Sequence, residues 1–207
     1  MRVSVYVDSF NLYYRALRKT PYRWLNPLAL ARDLVEADDE IGAVRFFTAR
    51  VSPRAGDPEA PRRQAIYFKA LRTIPQIQFH YGRFLPKTKW RPLVAEPTQH
   101  VEVHDTEEKG SDVNLASYLL HDGWRDHYDA ALVVSQDSDL LEPIRLVKDD
   151  LQKPVGVVWL DRHEPGWRFR NAASFIRHAT PARLAAAQFP DPLMGLDGHL
   201  IHKPETW

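Results

Sequence analysis

Four aspartates are the residues best able to do chemistry in this chain: Asp8, Asp112, Asp137 and Asp139. Asp8 closes the apolar run Val3-Ser4-Val5-Tyr6-Val7, and Asp137 follows the run Ala130–Val134 by way of Ser135 and Gln136. Asp112 opens a stretch in which Leu115, Ala116 and Leu119 recur at helical spacing, which turns it toward the inner side. Asp139 stands at or just inside the next helix start. Taken singly, an aspartate at a helix start is a cap that accepts backbone N–H bonds. Gathered at one end of a sheet, several carboxylates repel one another unless a cation binds or their pKa values rise. Oxygen ligands, with no Cys and no paired-His helix spacing, favour Mg²⁺ or Mn²⁺ over Zn²⁺.

Supporting groups lie nearby in sequence. Asn11 can orient a ligand or water, or cap a helix. Ser135 can position a carboxylate or a water, and no Gly-x-Ser-x-Gly elbow surrounds it to make it a nucleophile. Lys109 can contact a phosphate or offset the acidic cluster, while Glu107 and Glu108 read as solvent-facing, with one outer metal contact between them. Tyr13, Tyr14, Trp90 and Trp167 can stack on bases or simply anchor core and loops. Neither a Walker A loop nor Gly-x-Gly-x-x-Gly is present.

The elements that would position these groups follow from periodicity. Val3–Val7 predicts a strand and Asn11–Arg18 a helix; Leu28–Val35 predicts a helix and Ala43–Thr48 a strand; Pro61–Ile74 predicts a basic helix. Strands are expected at Ile77–Phe84 and Thr98–His104, separated by a mobile loop from Pro86 to Pro97. Ser111–His121 predicts a helix, Ala130–Val134 a strand, Leu140–Lys148 a helix and Pro154–Leu160 a strand. A further helix is expected near Asn171–Ile176 or Ala182–Gln188, and the tail after Phe189 has no clear period. Strands alternating with helices favour a mainly parallel sheet covered on both faces, where ligands bind outside the carboxyl ends of strands.

The 207 residues suit one α/β domain with appendages, and 44% hydrophobic with 27% charged residues excludes disordered and fibrous classes. The net charge of +1 hides a partition. Between Arg50 and Arg91 only Asp57 and Glu59 are acidic, whereas Glu102–Asp150 is dominated by acids. A basic flank beside an acidic pocket suits a polyanion, with Arg62, Arg63, Lys69, Arg72, Lys87 and Lys89 as candidate phosphate contacts. The start MRVSVYVDSF has no basic region followed by a long apolar run, so a soluble, cytoplasmic protein without membrane attachment is expected. The absence of Cys excludes disulfides, thiolate metal sites and cysteine nucleophiles.

Three blocks carry a family resemblance: Val7-Asp8-Ser9-Phe10-Asn11-Leu12, Glu108-Lys109-Gly110-Ser111-Asp112-Val113 and Ser135-Gln136-Asp137-Ser138-Asp139-Leu140. In this order and spacing, over roughly Val3 to Phe175, the chain resembles the NYN domain family of PIN-like nucleases, the LabA-like or DUF88 group. The family usually has Gly before the first Asp of the third block, where this chain has Gln136. The resemblance implies a Rossmann-like three-layer α/β/α sandwich with a mainly parallel sheet. It places an NYN/PIN-like nuclease domain at 1–180 and a C-terminal extension or tail at 181–207. It also implies a Mg²⁺ or Mn²⁺ site and endoribonuclease activity on RNA. On this chain, Asp8, Asp112, Asp137 and Asp139 would be the metal-binding or catalytic carboxylates, with Asn11 and Ser135 supporting them.

Other readings are an inactive RNA-binding or protein-interaction module, a DNA nuclease, or another phosphoesterase. A HAD-type phosphatase ranks lower because Asp8-Ser9-Phe10 lacks a second Asp. A homo-oligomer or protein partner would engage the C-terminal region.

Overall fold

In β1 (Arg2–Asp8) every second side chain faces the same way, and the two sets enter different cores. Val3, Val5 and Val7 pack with Leu12, Leu28 and Phe68 on one side, while Tyr6 packs with Leu115, Leu119 and Tyr128 on the other. A strand buried on both faces belongs in the middle of a three-layer arrangement. The computed structural model describes residues 1–207, except for the side chains of Pro86 and Thr106.

After β1 come a short helix α1 (Ser9–Leu12), a π-helical turn (Tyr13–Leu17), α2 (Pro27–Leu34), β2 (Glu40–Thr48), α3 (Ala60–Leu71) and β3 (Ile77–Tyr81). Two long strands follow, β4 (Arg83–Pro92) and β5 (His100–Lys109), then α4 (Ser111–Trp124) and β6 (Ala130–Val134). A 3₁₀ turn (Ser138–Leu140) leads into α5 (Leu141–Asp149), β7 (Val155–Trp159), α6 (Trp167–Ala172) and β8 (Phe175–His178). The chain ends with α7 (Pro181–Ala186) and the two-residue strands β9 (Leu193–Met194) and β10 (Leu200–Ile201).

The central sheet has six parallel strands in the order β3-β2-β1-β6-β7-β8. The strand order reverses between β1 and β6, so their carboxyl ends border the crevice where open α/β sheets bind ligands. This is the expected α/β sandwich.

Two local expectations need correction. The segment expected as a mobile loop is largely strand: β4 pairs antiparallel with β5 from Arg83↔Lys109 to Pro92↔His100, forming a separate ribbon. Prolines argue against a central strand, but a two-stranded ribbon has an outer edge on which a missing N–H breaks no ladder. The second correction is at Asn171–Ile176, where the helix starts earlier, at Trp167, and ends at Ala172; Phe175–His178 is the edge strand β8.

The segment after α7 is docked on the core. Trp207 lies 6.3 Å from the Trp24 ring and 5.4 Å from that of Tyr67. Phe189 and Ile201 are buried, and Trp24 Nε1 donates to the Pro190 carbonyl at 3.2 Å. Among the described residues no helix is long and apolar enough to cross a membrane.

Candidate active site at the carboxyl ends of two central strands

The alternation that separates the two cores also aims the acids. Asp8 shares parity with Tyr6 and therefore faces α4; Ser135 continues the parity of Ala131 and Val133 and faces the same way. The two meet, with Ser135 Oγ donating to Asp8 Oδ2 at 2.9 Å. Asp8 Oδ1 accepts the backbone N–H of Asn11 at 3.0 Å, so this carboxylate also caps α1. Asp137 Oδ1 in turn accepts the N–H of Asp139 at 2.9 Å and caps the 3₁₀ turn.

Helix α4 brings the third carboxylate. Gly110 takes φ +99° between β5 and α4, a left-handed conformation that glycine adopts without strain, and Asp112 follows in the first turn. The far end of α4 is fixed to the sheet by Asp122, which is 1% exposed. It accepts from Arg45 Nε at 2.5 Å and Nη2 at 2.8 Å, and from Tyr6 OH at 2.7 Å. Glu108 closes this side by accepting from Ser111 Oγ at 2.8 Å. A Cβ at Gly82 would come within 2.7 Å of the Lys109 carbonyl oxygen, a backbone atom that cannot swing aside, as well as displacing Glu108 Oε1, so glycine is favoured here.

Asp8, Asp112, Asp137 and Glu108 line one cavity of about 430 Å³. Burial pushes the Asp8 carboxyl above the ordinary range, against the hydrogen bonds from Asn11 and Ser135, and the Asp137 charge adds to the rise. Asp112 is pushed up to about 6, first by burial and then by repulsion from Asp8, Asp137, Glu108 and Asp139.

Of the four candidate base-stacking aromatics only Tyr14 lines the cavity, and Phe10, Phe84, Arg15 and Arg54, which the sequence does not single out, line it too. Arg15 and Arg54 supply positive charge, and Phe10, Tyr14 and Phe84 supply aromatic walls, with Phe10 and Phe84 packed edge to face at 5.3 Å. Arg15 sits in the π-helical turn, a kind of irregularity that often falls at functional sites. That turn reads as ordinary helix in the sequence, which is why Arg15 gives no signal there.

Other candidates lie elsewhere or are occupied. Asp139 is exposed and does not line the cavity, though its charge reaches Asp112. Asn11 lines the cavity while its side-chain oxygen accepts the backbone N–H of Gln136 at 3.0 Å. Lys109 pairs with Glu107 at 2.6 Å; Lys109 and Lys87 together hold Glu107 well below the usual carboxylate range, at about 2. None of the six candidate phosphate contacts lines the cavity. Lys87 pairs with Glu107, Lys89 with Asp105, Arg63 with Asp57, and Lys69 with Asp197. Arg62 reaches Glu59 at 3.5 Å, and Arg72 lies over the Phe79 ring.

The donor set suits a hard divalent cation in chemistry: it is oxygen only, and its charges repel one another. Among the described residues, however, no group of three or more His, Asp or Glu side chains is already arranged to hold a metal ion.

The NYN domain family model matches residues 2–179. A relative from Pseudomonas putida (strain DSM 28022 / S16), 6-hydroxy-3-succinoylpyridine 3-monooxygenase HspA, is 27% identical over 244 aligned residues, covering all of this chain and 75% of the relative. The fold is similar to a crystal structure of a protein of unknown function from Vibrio parahaemolyticus RIMD 2210633. The TM-score is 0.55 at 15% identity, over 87% of this chain and 93% of that one.

Proposed function

The chain belongs to the NYN domain family, a nuclease-like family, and from that premise we propose that it is a divalent-metal-dependent ribonuclease cutting RNA internally. The observation that carries this reading is the convergence of Asp8, Asp112 and Asp137 in one cavity at the carboxyl ends of the two central strands, with Arg15 and Arg54 in the same walls.

Asp8, Asp112 and Asp137 are the residues that would hold Mg²⁺ or Mn²⁺, and the ion would supply Lewis-acid chemistry toward phosphate and water. The chain's own groups do the rest. Hydrolysis adds a water oxygen to phosphorus and breaks the bond to one sugar oxygen; a proton leaves the water and the leaving oxygen gains one. Burial and the neighbouring carboxylates push Asp112 up to about 6, a repulsion that a bound cation would relieve, and the proton lost by the water passes to solvent. Ser135 holds Asp8 in orientation, Arg54 attracts the polyanion, and Arg15, whose charge Asp161 offsets, offers the remaining N–H donors of its fork.

The test is cleavage of mixed structured and single-stranded RNA in Mg²⁺, Mn²⁺ and EDTA, beside Asp137→Asn of verified fold. Metal-dependent cutting lost in the variant supports the reading. Equal activity in EDTA and in Asp137→Asn sinks it. RNA binding without cutting favours an inactive binding module.

A second reading has one observation in its favour. The Pseudomonas putida relative is named a monooxygenase, and Phe10, Tyr14 and Phe84 beside two arginines also suit an aromatic carboxylate. Hydroxylation of 6-hydroxy-3-succinoylpyridine in the presence of dioxygen and a reductant, without RNA cleavage, would select it.

A further inference from the structure

Gln136 is a polar side chain only 6% exposed, and it is fixed at both ends of its amide. Its Oε1 accepts the backbone N–H of Leu160 at 2.7 Å, and its Nε2 donates to Asp161 Oδ2 at 3.0 Å. Its backbone N–H is taken by Asn11. The same Asp161 oxygen accepts Arg15 Nη1 at 2.7 Å. A rigid, buried amide thus holds a carboxylate, and that carboxylate holds a guanidinium in the wall of the cavity that contains Asp8, Asp112 and Asp137.

Guanidinium carries five N–H donors in a planar fork. Among the described residues, Asp161 is the only hydrogen-bond partner of the Arg15 side chain. The rest of the fork remains for an oxyanion. One carboxylate contact fixes its direction, and a fixed fork loses less entropy on binding a second anion than a free one does.

We propose that Arg15 is a specificity-determining residue that seats a second backbone phosphate beside the scissile one, with Asp161 and Gln136 as its positioning residues. The inference rests on the nuclease reading and narrows its substrate class. The site takes chains with at least two consecutive phosphates and discriminates against a dinucleoside monophosphate, which has only one. Arg54, in the same wall, adds attraction without a comparable fixing partner: its backbone bridges to Asp57.

The test uses the full chain and single-stranded oligoribonucleotides of six residues, in which one phosphate at a time is replaced by a neutral methylphosphonate. Wild type should show one non-scissile position at which neutralisation lowers kcat/KM about ten- to one-hundredfold, the range for a hydrogen bond to a charged group. Arg15→Met should lose a similar factor on the unmodified RNA, mainly through KM, and should no longer sense the methylphosphonate. Arg15→Lys, which keeps charge but not the fork, should recover part of the loss. Gln136→Ala should cost less, about three- to tenfold, and nothing further when added to Arg15→Met, because the two act on one contact.

Wild type that cuts RNA but is indifferent to every non-scissile methylphosphonate overturns the inference and leaves the nuclease reading standing. So does Arg15→Met with unchanged KM and unchanged discrimination. Full additivity of Gln136→Ala and Arg15→Met overturns the positioning role. If wild type cuts no RNA in Mg²⁺ or Mn²⁺, the nuclease reading fails and the inference falls with it. Arg15 is well exposed, so its variants test the idea even if Gln136→Ala fails to fold.

Discussion

Ser135 and Asp8 are joined across the boundary between β6 and β1: the serine hydroxyl donates to Asp8 Oδ2 at 2.9 Å while accepting the Asp137 N–H at 3.1 Å. One hydroxyl therefore sets the spacing of two carboxylate-bearing residues from different strands. Ser135→Ala removes a donor from a buried carboxylate and leaves the Asp137 N–H without its acceptor. The expected cost is about 1–3 kcal/mol of stability, read from denaturant unfolding at constant m-value. An unchanged midpoint would show that water replaces the hydroxyl at no cost.

Asp112 makes stability depend on pH in a definite direction. Its folded-state pKa of about 6 lies above the ordinary 3.8, so ionising it opposes folding. That penalty is absent below about pH 4, grows as pH rises toward 6 and is complete above it. At pH 7.5 Asp112→Asn should be more stable than wild type by of order 1 kcal/mol, once solvent screening of a half-buried group is allowed for. That corresponds to roughly 2–4 °C in Tm for a chain of this size. The gain should vanish at pH 4. Mn²⁺ should raise the Tm of wild type more than that of the variant, and equal shifts would argue against Asp112 as a ligand.

Three of the acids were readable from the sequence, but Asp139, which is exposed outside the cavity, and Glu108, which lines it instead of facing solvent, were not, and neither was the arrangement of cations. Asp8, Asp112 and Asp137 could be placed because strand ends and helix starts follow from apolar periodicity, and the parallel topology then brings those ends together. Lys87 and Lys89 looked like free cations because their partners, Glu107 and Asp105, lie across a ribbon. Pro86 and Pro92 disguised that ribbon as a loop. Arg15 carried no signal, since its role depends on Asp161, in the bend just after β7 and 146 residues away in the chain. Strand β8 was missed because Phe175-Ile176-Arg177-His178 is a short edge strand directly after a helix.

Those cross-strand pairs bear on RNA binding. Cations already neutralised by neighbouring carboxylates contribute little counterion release, so Lys87→Ala combined with Lys89→Ala should change the slope of log K against log salt by less than one phosphate contact. Arg54→Ala should lower it by about one. A large loss of slope in the double lysine variant would return the ribbon to the interface.

Asp122 and Arg45 form a nearly dry ion pair that anchors α4 against β1 and β2. Asp122→Ala leaves the guanidinium without its partner and should cost about 3–5 kcal/mol, measurable by urea unfolding. A cost under 1 kcal/mol would mean that the helix is held by its apolar face alone.

Deleting residues 190–207 strips Ile201 and Trp207 from the core and uncovers Trp24. The truncated chain should lose at least about 3 kcal/mol and show red-shifted tryptophan emission. An unaltered Tm would identify the segment as a loose appendage.

The reversal of strand order between β1 and β6 has a consequence for how the protein could be divided. Residues before the exposed tip of the β4–β5 ribbon, where Val94 is 99% exposed, contribute Asp8, Arg15 and Arg54; residues after it contribute Glu108, Asp112, Ser135 and Asp137. Neither half contains a complete cavity. A chain severed at the ribbon tip would regain its site only on reassociation, with the ten ribbon pairs and the β1–β6 seam acting as the clasp. The molecule is in effect a two-fragment complementation device, in which catalysis would report the rejoining of the pieces.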